Sequence, residues 1–429
     1  IIGAGVFVLS GVVAANIAGP AIIISYLISG LAAFFAALSY AELAASIGGC
    51  GSAYNYAYVG FGELIAWLIG WNLIFEYGLS ISTVAIGWSG YIKDILLAIS
   101  LPSTIASLQS SIGHPINILA ISIIMILSIL LCVGVRESAK FNAVIVFIKL
   151  LAIVMFIIAA IPNLHSHNWV PFFPFGWSGA IQGAALVFFA YIGFDALSTA
   201  TEETIQPQRN IPIGIMASMI LCTLIYIVVA ALLTGIVPYQ TLNVSSPVAS
   251  ALLTISYPIT AGIISAGAVA GLTTVMLVMF YGLTRIVYAM ARDGLLPAFF
   301  AKVNARTQTP IPIIIVSGII MATFAGYMPI NRAAELVNIG TLTAFTVVCA
   351  GTIILRYTRP EMPRPFKLPL SPYIPALGII FCIYLMINLP AITWLRFAVW
   401  LIAGIAIYFL YGKHHSLLAK NNATSSIHS

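Results

Sequence analysis

Three ionisable side chains stand in otherwise apolar stretches of the sequence: Glu76, Lys149 and Asp195. A charge removed from water is costly unless it gains a partner or changes its protonation state. A carboxylate in such a place could bind a cationic ligand, and a lone amine could carry a proton. The alternative is structural, with Glu76 bracing neighbouring helices and Lys149 held in a static salt bridge.

The composition indicates where these side chains must lie. Of the 429 residues, 61% are hydrophobic and only 7% are charged, whereas a soluble globular domain carries about 25% charged residues. So few charges could not cover the surface of a soluble enzyme, and the apolar content excludes intrinsic disorder. The basic residues are scattered rather than clustered, which argues against a nucleic-acid partner. The sequence therefore predicts a protein whose partner is the lipid bilayer.

The long charge-free stretches predict an all-α integral membrane protein, because a helical crossing needs roughly 20 apolar residues. Predicted helices lie near 20–45, 60–92, 115–135, 141–161, 175–206, 211–237, 259–291, 310–329, 333–356, 373–389 and 393–412. The chain opens at Ile1 in what reads as the second half of a further helix, so we expect about twelve crossings. Most Lys and Arg residues then fall on one side, which the positive-inside rule makes cytoplasmic, together with both termini.

Two of these predicted helices contain residues that weaken a helix. Gly3 and Gly5 flank Ala4 in the first, and Gly193 precedes Asp195 midway along the sixth. Unwound backbone is tolerated at membrane depth only where it is buried in protein or lines a cavity. Asp195 is suited to cap a half-helix beginning at the next residue. The alternative is that the glycines simply allow close helix packing.

Breaks in the first and sixth helices occupy matching positions of a five-helix unit that occurs twice. Such a pair indicates a transporter built from inverted repeats, with its site between the broken helices. We expect one transporter domain over 1–429, with a first repeat at 1–161, a second at 175–356, two further helices at 373–412 and a cytoplasmic tail at 413–429.

Several motifs give the chain a resemblance to a known family. It resembles amino acid permeases of the amino acid–polyamine–organocation superfamily, and most closely the bacterial members of the cationic amino acid transporter family. The matching stretches are Gly3 to Phe7, Phe189 to Asp195, Glu202-Glu203 with Pro207 to Pro212, Arg292 to Pro297, and Pro363 to Phe366. The resemblance implies the five-plus-five inverted-repeat fold with helices one and six broken. It also implies an amino acid substrate and a bacterial inner (cell) membrane.

An amino acid brings a carboxylate and an ammonium, and each needs partners in a buried site. Free N–H groups at the start of a half-helix suit the carboxylate, and here they would come from Ala4 and Gly5, with Gly3 nearby. The ammonium needs carbonyl groups released by unwinding. By resemblance these belong to Ile1, Phe189, Ala190 and Ile192.

Selectivity and energy coupling require side chains. An acid at membrane depth is a functional hypothesis, so Glu76 could pair with a cationic substrate such as arginine, lysine or ornithine. By resemblance, Met276 lines the substrate pocket. Lys149, again by resemblance, replaces the sodium ion of other relatives and couples transport to protons, with Thr273 and Thr274 as candidate hydroxyl partners.

The leading hypothesis is thus a proton-coupled secondary transporter of L-amino acids. An amino acid exchanger and a nutrient-sensing transceptor of the same fold are the alternatives. We expect no enzymatic activity, no cofactor other than the proton gradient as energy source, and no metal site. The acids at the inner helix ends, Glu42 among them, are expected to cap helices or to pair with Arg136, Arg209 or Arg292.

Overall fold

The computed structural model describes residues 1–47, 51–98, 116–134, 139–199 and 204–417. The Glu202-Glu203 motif, Arg136 and the tail beyond 417 lie outside the described residues. In the part of the chain that the structure describes, every regular element is a helix.

The main helices range from 4 to 36 residues in length. In chain order they are α1 (Ser10–Val13), α2 (Ile22–Ser46), α3 (Ala53–Phe61), α4 (Glu63–Ala98), α5 (Ile118–Val133), α6 (Ala139–Ala160), α7 (Gly176–Val187), α8 (Phe194–Thr199), α9 (Pro207–Ile236), α10 (Pro247–Thr254), α11 (Pro258–Arg292), α12 (Ile311–Tyr327), α13 (Ile330–Thr358), α14 (Tyr373–Ile387) and α15 (Ala391–Ile407). Helix α1 lies between two π-helical turns, Gly5–Leu9 and Ala14–Ala18, and α15 continues as a π-helical turn over Tyr408–Gly412.

Eight helical segments within the described residues are long and apolar enough to cross a membrane. Helices α5, α12 and α14 are shorter apolar helices. The first of the eight segments, Gly5–Ser46, changes direction at Gly19, whose φ of +62° is accessible to glycine and which precedes Pro20. The prediction of an all-α membrane protein is confirmed, while the count of twelve crossings stays a prediction.

Helix α6 shows how these segments divide their surface between protein and lipid. Its outward face carries Phe147, Leu151, Val154 and Ile158, which are 47–67% exposed. These residues recur every three or four positions and so form one stripe along the helix. In water such a stripe would be unfavourable, but lipid chains solvate it well. Lys149, only 5% exposed, lies on the opposite, inward face.

The interior is organised around α4, which packs against α11, α12 and α13. Helix α2 packs against α9 and α7, and the first segment lies beside α7 and the residues that follow it. The two segments with predicted breaks therefore meet at the centre of the molecule.

A buried ionic cluster joins the end of α2 to the end of α13. The Glu42 carboxylate, 1% exposed, accepts hydrogen bonds from the Arg356 guanidinium at 2.9 and 2.5 Å and from the Leu368 N–H at 2.7 Å. Arg364 lies 3.6 Å from the same carboxylate. The expected pairing with Arg136, Arg209 or Arg292 is wrong for Glu42, because its partners are Arg356 at the end of α13 and Arg364 in the loop that follows. For Asp293 the pairing is found, since Arg292 lies 3.9 Å from it.

Candidate functional site

The sixth predicted crossing is broken where the sequence indicates. Helix α7 passes into a 3-10 turn over Phe188–Tyr191, Ile192 is extended, and Gly193 has a φ of +111°. Glycine is required here, since other residues rarely adopt that conformation. The chain becomes helical again at Phe194, two residues earlier than predicted.

Asp195 holds this break together from within. Its Oδ1 atom accepts from the Gly193 N–H at 3.1 Å, and its Oδ2 atom accepts from the Tyr77 hydroxyl of α4 at 2.7 Å. The Asp195 side chain is fully buried, and in such a place a carboxylate with hydrogen-bond partners is stable whereas an unpaired one is not. The side chain thus ties the start of α8 both to its own backbone and to α4.

The first segment comes very close to this break. A Cβ atom added to Gly5 would lie 2.3 Å from Ala190 Cα, so that the two backbones touch only because residue 5 is glycine. The Val6 and Phe7 N–H groups both donate to Gly3 O at 3.3 Å. The first segment therefore becomes helical between Gly3 and Gly5. This start of a half-helix lies beside the break in the sixth crossing.

Three tyrosines, which the sequence analysis did not single out, brace the junction. The Tyr26 hydroxyl donates to Gly5 O at 2.9 Å, and the Tyr226 hydroxyl donates to Ala190 O at 2.8 Å. The Tyr191 hydroxyl donates to Tyr26 O at 2.8 Å. These bonds tie the hydroxyl groups of three buried tyrosines to backbone carbonyl groups of the first segment, of the break and of α2. No feature of the sequence distinguishes these three tyrosines, because tyrosine occurs in many of the apolar segments.

A small cavity of about 10 Å³ lies between the two irregular segments. That volume holds about one water molecule. Its walls come from the first segment, from the break, from α4 and from α11. The lining residues are Ile1, Gly3, Ala4, Gly5, Ser80, Val84, Phe189, Ile192, Val275 and Met279.

Most of the predicted substrate-binding residues are brought together here. Ile1, Gly3, Ala4, Gly5, Phe189 and Ile192 line the cavity. Ala190 packs against Gly5 instead. Neither Glu76 nor Met276 is among the lining residues, although both are buried. On α11 the cavity is lined by Val275 and Met279, on either side of Met276 in sequence.

Glu76 lies one helical turn before Ser80 on α4. Its side chain is fully buried, and neither carboxylate oxygen has a partner of hydrogen-bond geometry. Its polar neighbours include Asp195 and Thr341. Ser80, one turn further along the helix, lines the cavity, whereas Glu76 does not. The role of Glu76 in substrate binding therefore stays a prediction.

Lys149 reaches across the interior from α6 to the first segment. Its Nζ atom donates to the Ile2 carbonyl oxygen at 2.8 Å. The side-chain stem passes Gly271 of α11, where an added Cβ atom would lie 2.5 Å from Lys149 Cδ. The expected threonine contacts are not formed. Thr273 donates to Val269 O at 2.8 Å and Thr274 donates to Gly271 O at 2.9 Å.

A second cavity, of about 160 Å³, borders Lys149. It is lined by Ile1, by the break at Ile192 and Gly193, and by residues of α6, α8 and α11, with Asn142 and Thr274 among them. Within the described ranges, no three His, Cys, Asp or Glu side chains come together in a way that could hold a metal ion.

Comparison with known proteins agrees with this geometry. The model of the amino acid permease family matches residues 1–410. The methylthioribose transporter of Bacillus subtilis is 46% identical over 423 residues, which cover 98% of this chain and 92% of the transporter. The branched-chain amino acid permease BcaP of the same organism is 45% identical, over 97% of this chain and 91% of the permease. The vacuolar cationic amino acid transporter 4 of Arabidopsis thaliana is 31% identical, over 98% and 90%.

The helical fold, the paired irregular segments at its centre and this match over almost the whole length lead to one conclusion. The chain belongs to the amino acid permease family, a family of membrane transporters.

Proposed function

We propose that the protein is a proton-coupled secondary transporter that carries a zwitterionic L-amino acid by alternating access. One observation carries the proposal: the Gly3–Gly5 segment and the break, through Phe189 and Ile192, line the same small cavity. Discontinuous segments that meet at the centre of a transporter bind the substrate and the coupling ion in known folds of this type.

The charges of the substrate match the backbone groups at this junction. The N–H groups of Ala4 and Gly5, at the start of the first half-helix, suit the carboxylate. The carbonyl oxygens of Ile1, Phe189 and Ile192 suit the ammonium. Ala190 O already accepts from Tyr226, and it keeps one lone pair for the substrate.

The size of the cavity implies movement during transport. A space of about 10 Å³ is too small for any amino acid. The substrate must therefore separate the first segment from α4 and α11 when it binds. Alternating access provides this separation from one side of the membrane at a time.

Lys149 is the proposed proton carrier. Its ammonium holds the first segment through Ile2 O, and desolvation disfavours the charged form of a buried lysine. Loss of the proton weakens this contact and frees the first segment to move. The same contact therefore couples proton release to opening of the site.

The cavity walls favour a substrate whose side chain is uncharged, since Val84, Val275 and Met279 supply mainly apolar surface. Two of the relatives are named for branched-chain amino acids, whose side chains are uncharged, and for methylthioribose, which is a neutral molecule. A cationic substrate is the second candidate. It is supported by the buried, unpaired Glu76 carboxylate one turn from the cavity.

For the whole chain we propose twelve crossings in one domain, with inverted repeats at 1–161 and 175–356, further helices at 373–412 and a tail at 413–429. Both termini are placed in the cytoplasm of a bacterial cell. Exchange of amino acids, or sensing without net transport, are the alternatives that the experiment below separates.

The test is uptake into liposomes that contain the purified protein. Radiolabelled leucine, valine, threonine, alanine, arginine and lysine are offered with an acidic exterior, and empty liposomes serve as control. We expect one of these substrates to accumulate above its external concentration, and accumulation to stop when a protonophore removes the gradient. Exchange only against internal substrate would support the exchanger, and binding without flux would support the sensor.

A further inference from the structure

Ser80 lines the central cavity, and its hydroxyl group has no part in the proposed binding of the substrate carboxylate and ammonium. It lies on α4 at the boundary between the buried polar side chain of Glu76 and the apolar surface of Val84, each one helical turn away. Among the described residues that line the cavity, Ser80 carries the only polar side chain. Its side chain is fully buried.

The Ser80 hydroxyl has no hydrogen-bond partner. Neighbouring hydroxyls on the same helix behave differently. Ser82 donates to Gly78 O at 3.0 Å and Thr83 donates to Leu79 O at 2.8 Å, each to the carbonyl one turn earlier. A buried hydroxyl without a partner is unfavourable by about 1–3 kcal/mol. Other unpaired buried oxygens, such as those of Ser39 and Tyr40, do not line the cavity.

The position of this hydroxyl limits what it can bind. The backbone groups of the first segment and of the break are matched to the carboxylate and the ammonium of an amino acid. The walls formed by α4 and α11 are then left for the substrate side chain. On those walls Val84, Val275 and Met279 offer apolar contact and Ser80 offers one hydroxyl.

We propose that Ser80 determines specificity by hydrogen bonding to a hydroxyl on a short, branched substrate side chain, so that the preferred substrate class is threonine-like. This inference rests on the proposed function of amino acid transport. Threonine and valine have nearly the same shape and differ in one hydroxyl. A site with an unpaired polar group rejects the analogue that leaves the group unpaired.

The experiment compares binding of L-threonine and L-valine to the purified whole protein by isothermal titration calorimetry. The wild-type protein is expected to bind threonine more tightly than valine. In Ser80→Ala, threonine binding should weaken by about five- to tenfold, because its hydroxyl loses its partner. Valine binding should stay equal or become tighter.

Ser82→Ala is the matched control, because it removes a hydroxyl of the same helix that is already paired with Gly78 O and Met321 O. It should leave the threonine-to-valine ratio unchanged. Valine binding also reports whether Ser80→Ala is folded. An unchanged ratio in Ser80→Ala, or equal loss of both ligands, would overturn the role of Ser80. A wild-type protein that binds none of the amino acids would instead overturn the proposed function, and the inference with it.

Discussion

At the scale of single residues, Gly5 makes the sharpest steric prediction. Gly5→Ala should abolish binding of every amino acid, because its Cβ atom would lie 2.3 Å from Ala190 Cα and would separate the two irregular segments. Gly262→Ala on α11 is the control, because its Cβ atom would meet no atom within 4 Å and Gly262 does not line the cavity. Calorimetric titration of both variants with the preferred substrate tests this. Normal binding by Gly5→Ala would show that the segments need not touch.

Lys149 carries the prediction on energy coupling. Lys149→Ala should abolish accumulation driven by a pH gradient in liposomes, because the contact to Ile2 O and the proton carrier are both lost. Lys149→Arg keeps a charge but cannot release a proton, so it should fail as well. Substrate binding should persist in at least one of the two variants, since the substrate contacts lie on other segments. Accumulation that survives in both would remove Lys149 from the mechanism.

The site residues differ in how far sequence alone could indicate them. Gly193 and Asp195 stand out because a glycine and an acid are rare together in an apolar helix. Lys149 stands out because it is a single basic residue in an otherwise apolar helix. Ser80 and the bracing Tyr26 do not, because serine and tyrosine occur throughout the apolar segments. The partners of these residues lie far away in the chain, as with Tyr191 and Tyr26, and spacing along the sequence does not give such contacts.

At the scale of helices, the packing of α11 against α6 gives a prediction with a control in the same helix. Gly271→Ala places a methyl group 2.5 Å from the Lys149 stem, whereas Gly262→Ala meets no atom within 4 Å. Displacement of the ammonium from Ile2 O should reduce proton-driven uptake in Gly271→Ala several-fold. Gly262→Ala should transport as the wild type does. Equal proton-driven uptake by the two variants would show that the Lys149 side chain can shift away from residue 271 and still couple transport to protons.

The cluster that joins α2 to the end of α13 predicts a change in stability. Removal of one partner from a buried ion pair costs about 3–5 kcal/mol, so Glu42→Gln, which leaves Arg364 facing a neutral group, should lower the unfolding temperature of the purified protein clearly. Arg292→Gln is the control, because Arg292 is 61% exposed and lies 3.9 Å from Asp293. An exposed pair contributes about 0–1 kcal/mol. The unfolding temperatures of the two variants are measured in detergent and compared with that of the wild type. Similar small decreases in both variants would mean that water reaches Glu42.

The long helices could be predicted from sequence because about 20 apolar residues in a membrane have few alternatives to a helix. The short helices α3 and α10 were not predicted. They are 9 and 8 residues long and contain mixed residues, so neither apolar length nor charge marks them. The pairing of Glu42 with Arg356 and Arg364 was missed for a related reason: it depends on how α13 packs against α2 and on how the loop after α13 folds.

At the scale of the whole molecule, the apolar outer surface and the polar centre depend on each other. The exposed stripe on α6 is apolar, so lipid chains can solvate this outer face without specific contacts. The centre, by contrast, contains irregular backbone, buried hydroxyls and the ionisable Glu76, Lys149 and Asp195. Polar groups at such depth are stable only while the surrounding helices exclude lipid and water.

The orientation of the chain gives the last prediction. Ser166 precedes α7, Asn243 lies between α9 and α10, and Asn304 follows α11; all three are exposed. With both termini in the cytoplasm, single cysteines at Ser166 and Asn243 should react with an impermeant thiol reagent on intact cells. A cysteine at Asn304 should react only after the cells are opened. The native cysteines are a small background, because Cys222, Cys349 and Cys382 are buried, and the parent protein measures what remains. Labelling of Asn304 from outside would reverse the proposed orientation, and equal labelling of all three would contradict the twelve-crossing arrangement.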